Sequence, residues 1–121
     1  MFSWGNGQGG RLGHGDLVGK NSPEQIKSIA HLQVEVIECG DAHSGCITDK
    51  GIIYVWGVGL NGRLGRGVVM DQANPETLMD FAHLKIHSVF FGMNTSFVVT
   101  KSDICFGWGS GQYGKLGLLN S

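Results

Sequence analysis

The sequence lacks long hydrophobic runs and clustered charge, and each absence excludes a class of protein. No apolar run approaches the length of about 20 residues that a membrane helix needs. No charged segment followed by an apolar one resembles a signal peptide. The formal net charge is −1 and the nine lysines and arginines are scattered, so nothing electrostatic indicates nucleic-acid binding. We therefore expect an intracellular protein, cytoplasmic or nuclear, without membrane or direct nucleic-acid contacts.

Cysteine is scarce and unpaired. Cys39, Cys46 and Cys105 are odd in number and lack the spacing of metal ligands. In the internal repeat described below, Cys46 and Cys105 align with Val98 and Ile53. We therefore expect small buried core residues of an intracellular protein, with no metal and no cofactor.

A catalytic constellation is also missing. His43 and Ser44 are adjacent on a predicted strand, which directs their side chains to opposite faces. Asp41, Asp49 and Glu38 are spaced too irregularly to form a metal site. The sequence therefore predicts no enzyme activity.

What the chain does contain is a glycine-rich internal repeat. Trp4, Trp56 and Trp108 lie 52 residues apart (56−4 and 108−56), and each opens the phrase Trp-Gly-x-Gly-x-x-Gly-[Arg/Lys]-Leu-Gly. Such a period marks a unit that cannot bury its apolar face alone and stacks on copies of itself. The repeated residues to which we assign structural roles are Trp4, Gly5, Gly7, Gly10, Leu12, Gly13, Gly40, His43, Trp56, Gly57, Gly59, Gly62, Leu64, Gly65, Gly92, Trp108, Gly109, Gly111, Gly114, Leu116 and Gly117.

Between the glycine phrases the pattern indicates β-strands. Ile52, Tyr54 and Trp56 share one face at period two, and we expect this face to form the core. The glycine turn at 49–51 suits a hairpin. Helical periodicity is absent, apart from a possible turn at 78–84.

A fourth short strand is expected to follow Pro23 and Pro75 in successive copies. Four antiparallel strands in a unit of about 50 residues are typical of a propeller blade. We therefore predict an all-β fold, an incomplete β-propeller with a 52-residue repeat. The single segment 1–121 would contain units at 4–55 and 56–107 and the start of a third at 108–121.

The glycine phrase also satisfies the dinucleotide-binding pattern G-x-G-x-x-G, for example from Gly57 to Gly62. That pattern needs a following helix to hold the pyrophosphate, and Gly65 and Gly67 would break such a helix in its first turn. Nucleotide binding is therefore disfavoured. Glycine here is expected to permit positive φ and close approach of neighbouring backbones.

Two phrases resemble the repeats of the regulator of chromosome condensation: Tyr54-Val55-Trp56-Gly57-x-Gly59-x-x-Gly62-x-Leu64-Gly65 and Gly40-Asp41-Ala42-His43-Ser44. The resemblance implies a seven-bladed β-propeller with one repeat per blade. Seven periods of 52 need about 364 residues, so this chain would be a fragment of about two blades, completed by further repeats of a parent chain. Asp103 replaces the turn residue Gly51, which is expected to make the second hairpin less regular.

The resemblance also implies candidate functions. The founding member resembles an exchange factor for the small GTPase Ran and inserts a β-wedge, but the copies here align without insertion. The plant ultraviolet photoreceptor of this fold carries Gly-Trp-Arg-His-Thr, whereas 40–44 and 92–96 carry no such tryptophan and arginine, which excludes photoreception. The main hypothesis is a protein-interaction scaffold. The alternative is an exchange factor or regulator of a Ran-like small GTPase.

Partner specificity on a repeated scaffold usually resides in variable loops. The loops at 16–22 and 68–74 differ most between the copies. The residues predicted to contact a protein partner are Asp16, Lys20, Asn21, Asp71, Gln72 and Asn74.

Overall fold

The computed structural model describes residues 1–67, 69–78, 81 and 83–110. Within these ranges the chain forms β-strands joined by turns and single-turn 3-10 segments. None of the described segments is a helix long and apolar enough to cross a membrane. The strands are β1 (Phe2–Gly5), β2 (Lys20–Gln25), β3 (Val34–Cys39), β4 (His43–Thr48), β5 (Ile53–Gly57), β6 (Gln72–Thr77), β7 (Ile86–Phe91), β8 (Thr95–Thr100) and β9 (Cys105–Gly109), and the 3-10 segments are Gln8–Gly10, Lys27–Ile29 and Leu60–Gly62.

The strands form three antiparallel sheets in which sequence neighbours are spatial neighbours. Their orders are β1-β2, β3-β4-β5-β6 and β7-β8-β9. The four-stranded sheet is one complete blade, as the all-β prediction requires. It extends from Val34 to Thr77, so each tryptophan phrase begins inside the third strand of a blade.

The position expected for the fourth strand is wrong by a few residues. Pro23 and Pro75 lie inside β2 and β6, and neither strand begins after its proline. β6 is the last strand of its sheet, and an edge strand tolerates proline because half of its backbone N–H groups have no ladder partner. The apolar residues that follow, Ile26 and Leu78, are buried just beyond the strand ends.

The expected core face of β5 is also only partly right. Ile52 precedes the strand and is 42% exposed, whereas Ile53 and Val55 on the opposite face are buried. Trp56 is buried as well, at 1% exposure. A blade lies between two neighbours, so both of its faces become interior and a single period-two face cannot describe it. One apolar cluster contains Ile47, Ile53, Val55, Leu64, Leu78, Ile86, Val89 and Val98, and the other contains Ile26, Ile29, Cys46 and Trp56.

Of the three cysteines only Cys46 is buried, and desolvation raises the pKa of its thiol to about 11. Cys39 and Cys105 are exposed, so the expectation of core positions is wrong for both. Cys105 aligns with Ile53, which the sheet β7-β8-β9 covers. Among the described strands, none covers Cys105 in the same way.

The two hairpin turns have the same geometry, contrary to expectation. Asp103 has φ +65°, close to the +75° of Gly51. The backbone N–H of Gly51 donates to the Thr48 carbonyl at 3.0 Å, and that of Asp103 donates to the Thr100 carbonyl at 3.0 Å. Aspartate accepts a left-handed conformation more readily than most residues, so the replacement preserves the turn.

Antiparallel connectivity places alternate connections at opposite ends of the sheets. We call one end the loop face, which contains turns 40–42 and 92–94 together with the long loops that follow β1 and β5. Backbone bonds from Val58 to the Ala42 carbonyl and from Ser110 to the Asn94 carbonyl, both 2.9 Å, join these connections. The opposite end contains the hairpin turns 49–51 and 101–103.

Candidate protein-interaction surface

The glycine loop of one repeat is pinned to the next blade through one carbonyl oxygen. The Arg11 carbonyl accepts hydrogen bonds from the indole Nε1 of Trp56 at 3.0 Å and from the hydroxyl of Ser44 at 3.0 Å. Two donors on one acceptor fix the loop in position and direction. We call this pair of hydrogen bonds a joint. The next repeat has an equivalent joint, in which the Arg63 carbonyl accepts hydrogen bonds from Trp108 Nε1 at 2.9 Å and from the Ser96 hydroxyl at 2.6 Å.

The repeated glycines make this joint possible. Gly13 has φ +77°, and a Cβ at this position would lie 2.8 Å from Trp56 Nε1. Gly65 has φ +73°, and its Cβ would lie 2.6 Å from Trp108 Nε1. The glycine and the tryptophan of the repeated phrase therefore meet across successive blades. The corresponding residues of the third copy, Gly111, Gly114, Leu116 and Gly117, lie outside the described residues.

His43 occupies the interior of the second joint and is 1% exposed. Its Nε2 lies 3.0 Å from the Ser96 hydroxyl, which itself donates to the Arg63 carbonyl. Nε2 must therefore be the donor, and Nδ1, which lacks a partner among the described residues, is the unprotonated nitrogen. The ring lies on Phe91 with centroids 4.2 Å apart. Burial, helped by the charge of Arg63, lowers the pKa of His43 to about 4.

Acidification is expected to weaken the fold through His43. Its folded pKa of about 4 lies below the ordinary value of 6.5, so the unfolded chain binds more protons between these values. The contribution of neutral His43 to the free energy of unfolding is fully present above about pH 6.5 and is lost as the pH falls toward 4. Allowing for solvent screening, we expect a loss of about 1–2 kcal/mol. Urea unfolding at about pH 7.5 and about pH 4.5 measures it, and His43→Gln is the control. An identical pH dependence in that variant would assign the effect to another group.

Four of the residues predicted to contact a partner lie around one side of the first long loop. Asp16 and Asn74 line the same cavity of about 230 Å³. Lys20 lies 3.5 Å from Asp16 and 3.8 Å from Glu24. A hydrogen bond from the Val18 amide lowers the pKa of Asp16. Asn21 is exposed beside them.

The other two predicted residues stabilise the second long loop. Asp71 accepts a hydrogen bond from the backbone N–H of Gly59 at 3.0 Å. Gln72 accepts one from the Arg66 guanidinium at 2.5 Å. These polar side chains therefore shape the loops in which they lie.

The same loops present an apolar surface that the sequence prediction missed. We call Leu17, Val18, Val69 and Met70 the apolar strip, and their exposed fractions are 65%, 59%, 64% and 72%. The two pairs are 52 residues apart, so they occupy equivalent positions on successive repeats. Aligning the loops by the period, rather than by their differences, would have found them.

Each pair is held by a glycine of the repeated phrase. Gly7 lies under the carbonyl of Val18, and Gly59 lies under that of Met70, so closely that neither glycine could carry a side chain. Gly9 of the first long loop packs against Val58 at the start of the second. The apolar strip therefore forms on a fixed backbone, and exposed apolar patches of this kind mark protein-interaction sites.

Nothing in the described part of the chain adds chemistry to this surface. No group of three or more His, Cys, Asp or Glu side chains within it could hold a metal ion. His43 and Ser44 contact different repeats, since His43 contacts Ser96 and Ser44 contacts Arg11. They do not form a catalytic pair.

Sequence comparison identifies similar repeats in larger proteins. The profile of the regulator of chromosome condensation (RCC1) repeat matches residues 1–47 and 50–99. The Ultraviolet-B receptor UVR8 of Arabidopsis thaliana is 37% identical over 118 residues, which cover 98% of this chain and 27% of the receptor. The human E3 ubiquitin-protein ligase HERC2 is 41% identical over 123 residues, which cover 97% of this chain and 2% of the ligase. The chain thus spans less than a third of either relative.

Structural comparison gives a consistent result. The crystal structure of human WBSCR16 matches with a TM-score of 0.79 and 28% identity, over 93% of this chain and 29% of that one. Prp20p from Saccharomyces cerevisiae, whose crystal structure was described with its binding properties to Gsp1p and histones, matches with a TM-score of 0.78 and 23% identity. That match covers 97% of this chain and 30% of Prp20p.

Proposed function

Because the chain belongs to the RCC1 repeat family and forms part of a β-propeller, we propose that it is a protein-interaction module whose loop face binds a partner protein. The observation that supports this function best is the apolar strip, which places two exposed apolar pairs at the spacing of successive blades. A partner that contacts both pairs would bury side chains that the free chain leaves in water.

The support beneath the strip favours binding. The joint at Arg11 anchors the loop of one repeat to the next blade, and Asp71 fixes the start of the second long loop. A surface that is already ordered loses less conformational entropy when it binds. Protein partners are also in keeping with Prp20p and its binding to Gsp1p and histones, and with the yeast RCC1 protein (Prp20) that was crystallised with Kap60.

A pair of double variants tests this role. Val18→Asp with Met70→Asp places charge in the strip, and we expect the affinity for a loop-face partner to fall by at least about tenfold. Ile52→Asp with Ile104→Asp is the matched control, because these residues are also exposed and 52 residues apart. They lie next to the hairpin turns at the opposite end of the sheets.

The measurement compares the proteins that are captured by the unmodified chain, by the control variant and by the strip variant. Each captured candidate is then titrated against the three chains to measure its affinity. Proteins that bind the unmodified chain and the control, but not the strip variant, are loop-face partners. Both double variants should unfold within about 0.5 kcal/mol of the parent, because the changed side chains are exposed. Equal capture by all three chains would contradict the assignment of the strip.

Exchange activity on a Ran-like small GTPase is the second candidate, and the similarity to Prp20p favours it. An exchanger must stabilise the nucleotide-free GTPase, so it accelerates release of a labelled nucleotide. Because the repeats align without the insertion of a wedge, we expect no acceleration by this chain. Acceleration that disappears in the strip variant would select the exchange function instead.

A further inference from the structure

The two arginines of the repeated glycine phrase, Arg11 and Arg63, have different surroundings. In each, Nε donates to the backbone carbonyl three residues earlier at 2.9 Å. Arg63 makes a second bond, from a terminal nitrogen to the side-chain oxygen of Asn94 at 2.6 Å, and is 5% exposed. Asn94 therefore holds the guanidinium of Arg63 within the loop face.

The first repeat lacks the acceptor that holds Arg63. Position 42, which is 52 residues before Asn94, is alanine. Apart from its bond to the Gln8 carbonyl, the Arg11 guanidinium has no hydrogen bond or ion pair within the described ranges, and the residue is partly exposed. Both bonds of Arg63 come from its own loop and the blade that follows, and Arg11 has an equivalent loop and following blade. The difference therefore results from Ala42 and not from the position of Arg11 near the start of the sequence.

Arg11 is bonded to a short segment that contacts both long loops. Gly7 lies under the carbonyl of Val18 in the first loop. A Cβ at Gly9 would lie 3.7 Å from Oδ2 of Asp71 in the second loop. The residue between these glycines is the one whose carbonyl binds Arg11. The free end of the Arg11 guanidinium is therefore on the loop face, in the segment where the two loops that present the apolar strip meet.

Negative charges on the loop face already have partners. The Asp16 carboxylate lies 3.5 Å from a lysine ammonium. The charges of Asp41 and Asp71 both act on Arg63. A basic group of a partner would compete with these contacts, whereas an acidic group would meet the unpaired cation of Arg11. Charge complementarity on this face therefore favours an acidic partner.

We infer that Arg11 binds a carboxylate of the partner, from an aspartate or glutamate whose apolar neighbours cover the strip. The inference rests on the proposed function, since one partner segment would contact both Arg11 and the strip. A guanidinium can bind a carboxylate through two parallel N–H···O bonds, and apolar contacts that exclude water strengthen such a pair. Arg63 is held by Asn94 and does not contribute.

Selection of displayed random peptides on the whole chain supplies the probes for a test. Peptides that are retained by the unmodified chain but not by the strip variant bind at the strip, and we expect them to contain an acidic residue beside apolar ones. Changing that residue to its amide should weaken binding of the synthetic peptide about tenfold, measured by fluorescence anisotropy. Strip-dependent peptides without an acidic residue would overturn the inference and leave the proposed function standing. Failure to recover any strip-dependent peptide would contradict both.

Variants of the chain assign the acidic preference to Arg11. Arg11→Gln should weaken binding of the acidic peptide about tenfold and leave binding of its amide form unchanged, because the two changes remove one shared interaction. Ala42→Asn gives Arg11 the acceptor that Arg63 has, and it should have the same effect without changing the arginine.

Asn94→Ala is the matched control, because it changes the equivalent position of the next repeat and should not weaken binding of the acidic peptide. Unchanged binding of the amide peptide shows that the loop face of each variant is intact. A preference for the acidic peptide that persists in both Arg11→Gln and Ala42→Asn would overturn the inference.

Discussion

Replacing Trp56 by alanine is expected to lower the free energy of unfolding by about 3–5 kcal/mol. The side chain is 1% exposed and packs with Ile26, Ile29 and Cys46. Its Nε1 also donates to the Arg11 carbonyl at 3.0 Å. The variant loses the apolar burial and half of the joint between two repeats, and urea denaturation followed by circular dichroism measures the loss.

Trp4→Ala is the matched control for this prediction. Trp4 occupies the same position of the repeated phrase but is 57% exposed. Its removal should change the free energy of unfolding by about 0.5 kcal/mol or less. Equal losses of unfolding free energy in the two variants would contradict this explanation, because only Trp56 is buried against the preceding repeat.

Gly13→Ala should destabilise the same joint from its other side. The position combines φ +77° with a Cβ site 2.8 Å from Trp56 Nε1. Backbone strain and overpacking together should cost about 2–4 kcal/mol. Thermal and urea unfolding both measure this loss.

Gly67→Ala separates the two contributions. Gly67 has φ +76°, close to the +77° of Gly13, but no atom of the described residues lies within 4 Å of its Cβ site. Only the strain of a positive φ remains in this variant, and we expect the free energy of unfolding to fall by about 1–2 kcal/mol. If Gly13→Ala and Gly67→Ala cost the same, close approach to the tryptophan would not explain the repeated glycine.

The prediction of an RCC1-type propeller from the sequence is confirmed. It succeeded because two residues of the tryptophan phrase, the tryptophan and a glycine, contact each other across successive blades. Trp56 and Gly13 are far apart in sequence yet touch, and each residue type is needed there: an indole donor and a residue without a side chain. When these residues recur at a fixed spacing, the repetition therefore predicts that successive blades stack, and it also predicts the local strand.

Faces and exposure were less predictable. The alternation around Ile52 suggested one buried face, but burial depends on which blades lie on either side, and a local pattern does not contain that information. Cys105 and Ile53 are equivalent in sequence and opposite in exposure for this reason. The position of Pro23 inside β2 depends similarly on β2 lying at a sheet edge.

The residues predicted from the sequence and the apolar strip lie in the same two long loops but are different side chains. Differences between copies directed attention to polar residues such as Asp71 and Gln72, which hydrogen-bond within the loop. The apolar strip is similar in both copies, so differences between the copies do not indicate it. Whether a loop residue faces solvent or its own backbone depends on tertiary contacts, such as that between Gly59 and Met70.

The joint at Arg11 gives the array a direction. The loop after β1 provides the acceptor, and the donors, Trp56 and Ser44, belong to the blade that follows. A recombination breakpoint between Arg11 and Ser44 would therefore separate the loop from the donors it fits. Breakpoints between β2 and β3, or between β6 and β7, would keep each glycine loop with its own sheet, but would still place it against donors from a foreign repeat. The exchange of repeats is therefore limited by the fit between each loop and the donors of the blade that follows it. A repeat whose loop fits one following blade need not fit another.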